Sequence, residues 1–151
     1  QLGSGDSQGA VYSIKVGVIL SMCLAFIVTV CFLLLRNQLV GLYTQDAVVV
    51  DLAVTLLLFG AIFQLVDCLQ AVCICALRAY HDTASSAKYQ AFAYWVVGLP
   101  VGILLGFYLN IPGLIDALGF WFAMVLSLSI SSTLIARRLW QLTTATALLK
   151  N

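Results

Sequence analysis

The chain has 151 residues, of which 63% are hydrophobic and 9% are charged, and its formal net charge is +1. Water-soluble domains carry about 25% charged residues, so this composition, with a mean hydropathy of +1.08, excludes an ordinary soluble domain. The seven basic residues are dispersed along the chain, which excludes a concentrated surface for binding nucleic acid.

Four apolar stretches are long enough to cross a bilayer, which takes about 20 helical residues. They are residues 16–35, 48–77, 89–109 and 117–136. Because backbone groups in lipid must be paired within their own segment, each stretch is expected to be helical. The predicted fold class is therefore all-α, a polytopic helical membrane bundle.

Short polar connections separate these stretches. Asp46 precedes the second stretch and is a candidate N-cap, and residues 110–113, Asn-Ile-Pro-Gly, favour a tight turn. Residues 78–88 are polar, and within them Arg78 and Asp82 have the spacing of an exposed i, i+4 ion pair. Such short connections are typical of neighbouring antiparallel helices.

The basic residues are unevenly distributed between the two sides of the membrane if the helices alternate in direction. One side receives six of the seven: Lys15, Arg78, Lys88, Arg137, Arg138 and Lys150. Arg36 falls on the other side, together with Asp46, Asp51 and Asp116. Basic residues concentrate in cytoplasmic loops, so both termini and residues 78–88 are predicted to be cytoplasmic.

The first residue is Gln1, not a methionine, and residues 1–6 have the composition of a loop that follows an earlier element. We therefore expect the sequence to be part of a longer protein.

A polar stripe lies in the second apolar stretch. Gln64, Asp67 and Gln70 are three residues apart, so each glutamine lies about 60° from the carboxylate around the helix. Polar side chains often serve only to tie membrane helices together, and this alternative stays open for both glutamines. An ionisable group at membrane depth costs about 3 kcal/mol on insertion scales, so Asp67 is the candidate for binding an ion, a proton or a cationic ligand.

The third stretch combines a proline with a ridge of small residues. Pro100 removes a backbone hydrogen bond and favours a kink, and Gly98, Gly102 and Gly106 let another helix approach closely. Two interpretations remain open here: a hinge that moves, or a static kink with packing glycines.

The residue patterns of an enzyme are missing from the sequence. There is no glutamate, only one histidine, no phosphate-binding glycine loop and no Cys/His cluster with metal-ligand spacing. We predict that the protein is not an enzyme, that it has no cofactor, and that it holds no metal ion other than Na⁺ at Asp67 where Na⁺ is the coupling ion.

Two runs of residues resemble a known family. Residues 63–70, Phe-Gln-Leu-Val-Asp-Cys-Leu-Gln, and 76–83, Ala-Leu-Arg-Ala-Tyr-His-Asp-Thr, are similar to the tenth transmembrane helix and the following loop of multidrug and toxic compound extrusion (MATE) transporters, NorM-like branch. The most specific feature is the spacing between Asp67, Gln70 and the later Asp82-Thr83. The sequence departs from the family pattern at Cys75, Ala79 and His81.

Other segments match the same family in the expected order. Residues 1–6 resemble the loop before the ninth helix, 42–46 the outer loop after it, 94–100 the eleventh helix, and 119–121 the start of the twelfth. The resemblance implies a twelve-helix antiporter with two six-helix lobes. Residues 1–151 would then be the C-terminal part of the second lobe, helices nine to twelve.

The resemblance also implies a function. It implies export of cationic or amphipathic drugs and toxins in exchange for Na⁺ or H⁺, with Asp67 as the cation-coupling acid, in the bacterial inner membrane. Burial favours the neutral form of a carboxyl group and bound Na⁺ favours its ionised form, so both coupling ions stay open. The expected partners are these small molecules, the lipid bilayer and the upstream helices of the transporter, but no nucleic acid.

Two other functions fit the same residues. A four-helix membrane subunit or assembly partner without transport activity would use the polar stripe to dock onto another protein. A related carrier would move lipid-linked or metabolic substrates.

Overall fold

The computed structural model describes residues 6–108 and 116–148. Four helices in these ranges are long and apolar enough to cross a membrane. The first helix is Ser7–Gly41, the second is Ala47–Ala79, and the fourth is Asp116–Leu148. The third begins at Thr83 and continues to Tyr108 in four segments that are described below. The predicted all-α membrane bundle is confirmed, and the chain is an integral membrane protein.

The helices extend past the apolar stretches that indicated them. The first helix includes Lys15 and Arg36, and the fourth continues through Arg137 to Leu148. Lysine and arginine are good helix formers, so a helix does not end where its apolar part ends. Hydropathy therefore identifies the part of each helix that can lie in the hydrocarbon region, and not the ends of the helix. Because the helices are longer than the apolar stretches, the connection between the first two is only residues 42–46. The predicted turn at residues 110–113 lies outside the described residues.

Carboxylates cap the starts of the first three helices. Asp46 accepts a hydrogen bond from the Val48 N–H at 3.0 Å, which confirms it as the N-cap of the second helix. Asp6 caps the first helix in the same way and accepts from the Gly9 N–H at 2.9 Å. Each cap satisfies a backbone donor that has no partner within the helix.

The second helix ends in a tight left-handed turn. The His81 N–H donates to the Arg78 carbonyl at 3.0 Å, and the Asp82 N–H donates to the Leu77 carbonyl at 3.0 Å. This pair of hydrogen bonds is the Schellman motif, which places one residue in the left-handed region. His81 occupies that position with φ of 59°. Glycine is the usual residue there, so the turn is built without the residue that normally signals it.

The predicted ion pair between Arg78 and Asp82 is wrong. Asp82 instead accepts from Arg138 Nε of the fourth helix at 2.7 Å, and it also caps the third helix by accepting from the Ser85 N–H at 3.3 Å. The i, i+4 relation holds only within one continuous helix, and the second helix has already ended at Ala79. The pair therefore joins the turn between the second and third helices to the fourth.

This ion pair is expected to make stability depend on pH. Hydrogen bonds from Ser85 and Arg138 hold the pKa of Asp82 below its usual value of 3.8. A lowered carboxyl pKa in the folded state stabilises the protein above pH 3.8, and this contribution is lost as the pH falls further. The Arg138→Gln substitution should therefore lower the melting temperature at pH 7 more than at pH 3.

Arg137→Gln is the matched control for this measurement. Arg137 is the exposed neighbour of Arg138, and it forms no ion pair within the described part of the chain. Thermal unfolding of both variants in detergent would be compared at the two pH values. Equal losses for Arg138→Gln at pH 7 and pH 3 would contradict the assigned role of the pair.

The second helix packs between the first and the fourth. Thr29 Oγ1 donates to the Ala61 carbonyl at 3.4 Å, and Cys68 Sγ donates to the Ser21 carbonyl at 3.3 Å, so two polar contacts join the first helix to the second. An apolar cluster joins the second helix to the fourth: Cys73, Ala76, Leu77, Ile135 and Leu139. Lipid tails are as apolar as these side chains, so the cluster stabilises the bundle mainly through close packing.

The third helix is irregular around its proline. It consists of an α-helix at Thr83–Ala91, a π-helix at Phe92–Gly98, an α-helix at Leu99–Ile103 and a second π-helix at Leu104–Tyr108. In a regular helix the ring of Pro100 would clash with the carbonyl four residues earlier. The widened turn before it, where the Leu99 N–H donates to the Tyr94 carbonyl, accommodates the ring.

Candidate functional site

Asp67 lies well inside the second helix. At 1.5 Å per residue it is about 30 Å along the axis from Ala47 and about 18 Å from Ala79. Its side chain is exposed on a face that the first and fourth helices leave uncovered. Within residues 6–108 and 116–148 the carboxylate forms no ion pair. The structure therefore leaves this charge available to a ligand.

The two glutamines of the polar stripe have different surroundings. Gln64 is half-buried, whereas Gln70 is 3% exposed and its Oε1 has no hydrogen-bond partner in the described part of the chain. The stripe is thus split: Asp67 lies on the open face, and Gln70 lies in the packed interior. A buried amide oxygen without a donor is costly, which singles out Gln70 as a group that water or a ligand can satisfy.

Ser131 shares this property with Gln70. It is 0% exposed, and its hydroxyl also lacks a partner among the described residues. Most hydroxyl groups in membrane helices bond to the carbonyl four residues earlier, as Ser127 and Ser129 do here at 2.9 and 2.7 Å. The sequence does not distinguish Ser131 from these neighbours, and only the packing reveals it.

A groove lies between the third and fourth helices. Its volume is about 180 Å³. We call it the aromatic groove, and its lining includes Tyr94, Gly98, Gly102, Phe120, Met124 and Ser127. Tyr94, Gly98 and Gly102 belong to the third helix, and the other three belong to the fourth.

The glycines of the third helix allow the fourth helix to approach. A Cβ atom on Gly98 would lie 2.9 Å from Ser127 Cβ, and one on Gly102 would lie 3.2 Å from the Phe120 ring. At Gly106 the same ring lies closer still. Pro100 is exposed and does not belong to this contact. The glycines and the proline therefore lie in different places, the former in a helix contact and the latter on the surface.

Sequence reasoning missed the aromatic groove itself. Tyr94, Phe120 and Met124 lie in apolar stretches where nothing marks them apart from their neighbours. Gly98 and Gly102 were recognised for their spacing, but their closeness to the fourth helix depends on how the helices pack. The spacing of the glycines indicates that another helix packs closely against the third, but it does not identify that helix.

A larger cleft lies between the first and second helices. Its volume is about 540 Å³, and Phe32, Tyr43 and Trp121 are among the residues that line it. Phe63 contacts Trp121 edge-on, with ring centroids 6.4 Å apart. Among the described residues, no charged side chain lines this cleft. It lacks the electrostatic feature that distinguishes the region around Asp67.

A family model and several curated relatives match the chain. The model of the MatE family matches residues 1–104. The chain is 38% identical over 144 residues to multidrug resistance protein NorM of Vibrio cholerae, which covers 94% of this chain and 31% of the relative. It is 35% identical over 131 residues to multidrug resistance protein MdtK of Proteus mirabilis, which covers 87% of this chain and 28% of the relative. The chain thus spans less than a third of the length of these curated relatives.

Proposed function

The chain belongs to the MatE family, and from that premise we propose that it is part of a secondary active antiporter. The antiporter exports cationic or amphipathic drugs and toxins in exchange for Na⁺ or H⁺. Two relatives that cover most of this chain carry the name multidrug resistance protein, which supports this class of substrate. In the proposed architecture the chain forms the last four of twelve helices, in the second of two lobes.

The observation that carries the proposal is the exposed carboxylate of Asp67, which forms no ion pair with any residue that the structure describes. A charged group at membrane depth is too costly to face lipid, so such groups face the bundle interior or a water-filled cavity. The face of the second helix that bears Asp67 is uncovered by the first and fourth helices. We infer that this face borders the cavity of the complete transporter, together with helices from the rest of the protein.

The chemistry of the exchange follows from competition for one charge. A proton or Na⁺ that binds Asp67 neutralises it, and a cationic substrate is attracted to the same carboxylate when it is free. Ion binding shifts the equilibrium between two helix arrangements only by the difference between the ion's binding free energies to them. Such coupling is typically worth about 1 to 3 kcal/mol. Inward movement of the ion then drives outward movement of the substrate.

Gln70 is the candidate for supporting the site from the interior. Its Oε1 is buried and has no hydrogen-bond partner among the described residues, and Gln70 is three residues from Asp67, which places it on a neighbouring part of the helix surface. We propose that Gln70 helps orient the ligands of Asp67. Its contribution is expected to be that of a single hydrogen bond, about 1 kcal/mol.

Transport in everted membrane vesicles tests the proposed function. Vesicles that contain the complete protein should take up ethidium when their lumen is loaded with Na⁺ or acidified. The gradient that drives this uptake identifies the coupling ion. Vesicles without the protein are the control. If neither gradient drives uptake above that control, the antiporter proposal is wrong.

The proposed orientation has its own test. We propose that both termini and the turn at residues 80–82 are cytoplasmic, because the basic residues concentrate there. In a cysteine-free background, Tyr43→Cys should react with a membrane-impermeant maleimide added to intact cells, whereas Ala84→Cys should react only after permeabilisation. The side chains at both positions are exposed, so labelling depends on the side of the membrane on which each position lies and not on burial. The reverse pattern of labelling would invert the topology.

A further inference from the structure

Gln70 Oε1 of the second helix and Ser131 Oγ of the fourth are both buried, and neither has a hydrogen-bond partner among the described residues. The two side chains are 3% and 0% exposed. The described helices produce this burial themselves, so it does not depend on helices from the rest of the protein. A buried polar atom without a partner is costly, and buried water is the usual group that satisfies such atoms.

The second and fourth helices run in the same direction. Phe63 meets Trp121 in an edge-on ring contact. Further along both helices, Cys73 and Ile135 pack in one apolar cluster. Residue numbers therefore increase together along this contact, and a residue of the second helix has its neighbours at a similar distance along the fourth.

Gln70 and Ser131 lie at one level of this contact. Gln70 is three residues before Cys73, and Ser131 is four residues before Ile135, which is about one helical turn in each case. Residues three or four apart lie on the same side of a helix, so both side chains lie on the sides that form the cluster. The two orphaned oxygen atoms are therefore found together, in the layer next to the cluster.

A groove at the same level shows that the helices do not close completely there. Its volume is about 260 Å³, and Leu69 of the second helix and Ser132 of the fourth are among the residues that line it. These two residues are the chain neighbours of Gln70 and Ser131. A water molecule takes up about 30 Å³ in the liquid, so the spacing of the helices at this level can accommodate one.

The chemistry of the two atoms fits a water molecule. Backbone N–H groups in the middle of a helix already donate within that helix, so they are not free to donate to Gln70 Oε1. Gln70 and Ser131 do not bond to each other either. A hydroxyl both donates and accepts, whereas an amide oxygen only accepts. Both groups are neutral, so their ligand needs no charge.

We propose that a water molecule binds between the second and fourth helices, where it accepts a hydrogen bond from the Ser131 hydroxyl and donates one to Gln70 Oε1. The second hydrogen of the water is then free for a helix carbonyl, which has a second lone pair. This site goes beyond the proposed antiporter function, because it involves neither the transported ion nor the substrate. It gives two helices that otherwise meet through apolar side chains a polar contact.

Thermal unfolding of the complete protein in detergent tests the proposal. Ser131→Ala should lower the melting temperature by about 2 °C, because it removes a partner of the bound water. Without the water, the same substitution would remove an orphaned hydroxyl, and the melting temperature would stay the same or rise. Either of these results would overturn the proposal.

Ser129→Ala is the matched control for this measurement. The Ser129 hydroxyl donates to the Val125 carbonyl of its own helix at 2.7 Å. Alanine is the better helix former and leaves no buried ligand behind, so this variant should keep the parental melting temperature. A loss equal to that of Ser131→Ala would mean that removal of any hydroxyl from this helix has the same effect, and the proposal would be wrong.

A double-mutant cycle tests whether the two side chains share one ligand. Gln70→Leu replaces the amide with an apolar group of similar size and should also lower the melting temperature. The double variant Gln70→Leu/Ser131→Ala should lose no more than the larger of the two single losses, because the water leaves and neither oxygen remains buried. Additive losses would contradict a shared water.

Two further measurements identify the occupant. In a cryo-EM structure of the complete protein that resolves ordered water, density should lie within hydrogen-bonding distance of both oxygens and should be absent from the double variant. An empty site, a direct bond between Gln70 and Ser131, or a side chain from an upstream helix in this place would overturn the proposal. The loss for Ser131→Ala should also be equal in NaCl and in choline chloride. A loss that requires Na⁺ would mean that a cation binds there, which contradicts the proposed water.

Discussion

The Asp67→Asn substitution is expected to abolish ion-driven export by the complete transporter while leaving its expression and membrane insertion close to parental. Asparagine has nearly the same size and keeps a hydrogen-bonding oxygen, but it cannot take up a proton or carry the charge that holds Na⁺. Because Asp67 is exposed and has no ion-pair partner in the described ranges, the substitution breaks no contact that stabilises the fold. The measurement is ethidium uptake into everted vesicles under an imposed Na⁺ or H⁺ gradient.

Two other variants make this test specific. Asp51→Asn changes an exposed acid on the same helix, about 24 Å from Asp67 along the axis, and should leave transport unchanged. Gln70→Ala should give a partial defect, since it removes one hydrogen-bonding group. If Asp67→Asn transported at the parental rate with unchanged ion dependence, the carboxylate would be structural and the coupling site would lie elsewhere.

The Gly98→Ala substitution is expected to destabilise the bundle by about 1 to 3 kcal/mol, the usual cost of overpacking. The added methyl would lie 2.8 Å from Ser127 Oγ and 2.9 Å from Ser127 Cβ. The Cβ of a helical residue moves only with its backbone, so the third and fourth helices would have to separate. Thermal unfolding of the purified protein in detergent would measure the loss.

A matched control and a rescue identify the cause. Gly60→Ala introduces the same methyl on the second helix, where nothing lies within 4 Å of the new Cβ. It should be neutral or stabilising by up to about 1 kcal/mol, since alanine is the better helix former. Adding Ser127→Gly to Gly98→Ala should recover part of the loss, because it removes the atoms in the clash. If both glycine variants lost equal stability, the close contact at Gly98 would not be the reason.

The predicted family and fold class are confirmed, and the reasons lie in local chemistry. A bilayer requires every lipid-facing segment to satisfy its own backbone, so uncharged stretches such as residues 16–35 imply helices regardless of their neighbours. The match of the MatE model to residues 1–104 includes the run around Asp67 that suggested the family. Asp46 was also recognisable, since an N-cap depends only on the residues that follow it.

Predictions of where a helix ends, and of which charged groups pair there, were less successful. The pair assigned to Arg78 and Asp82 assumed a continuous helix, but the turn at His81 directs Asp82 to Arg138, 56 residues later in the chain. Histidine is not a usual turn residue at positive φ, so the sequence carried little warning. The full lengths of the helices were also missed, because hydropathy reports suitability for lipid and not the end of a hydrogen-bonded helix.

By itself, the sequence determined that this protein is a helical membrane bundle and that Asp67 is its most unusual group, because an isolated charge contrasts with everything around it. It could not determine which polar groups are buried without a partner among the described residues: Gln70 and Ser131 differ from the half-buried Gln64 and the hydrogen-bonded Ser129 only in what surrounds them. Nor could it reveal the aromatic groove, since Tyr94, Phe120 and Met124 are ordinary residues of apolar helices until two helices bring them together. The tertiary structure decided these features because an apolar side chain gains little by exchanging lipid for a neighbouring helix. The packing is therefore selected by the shapes of the helices, close glycine contacts and a few polar groups.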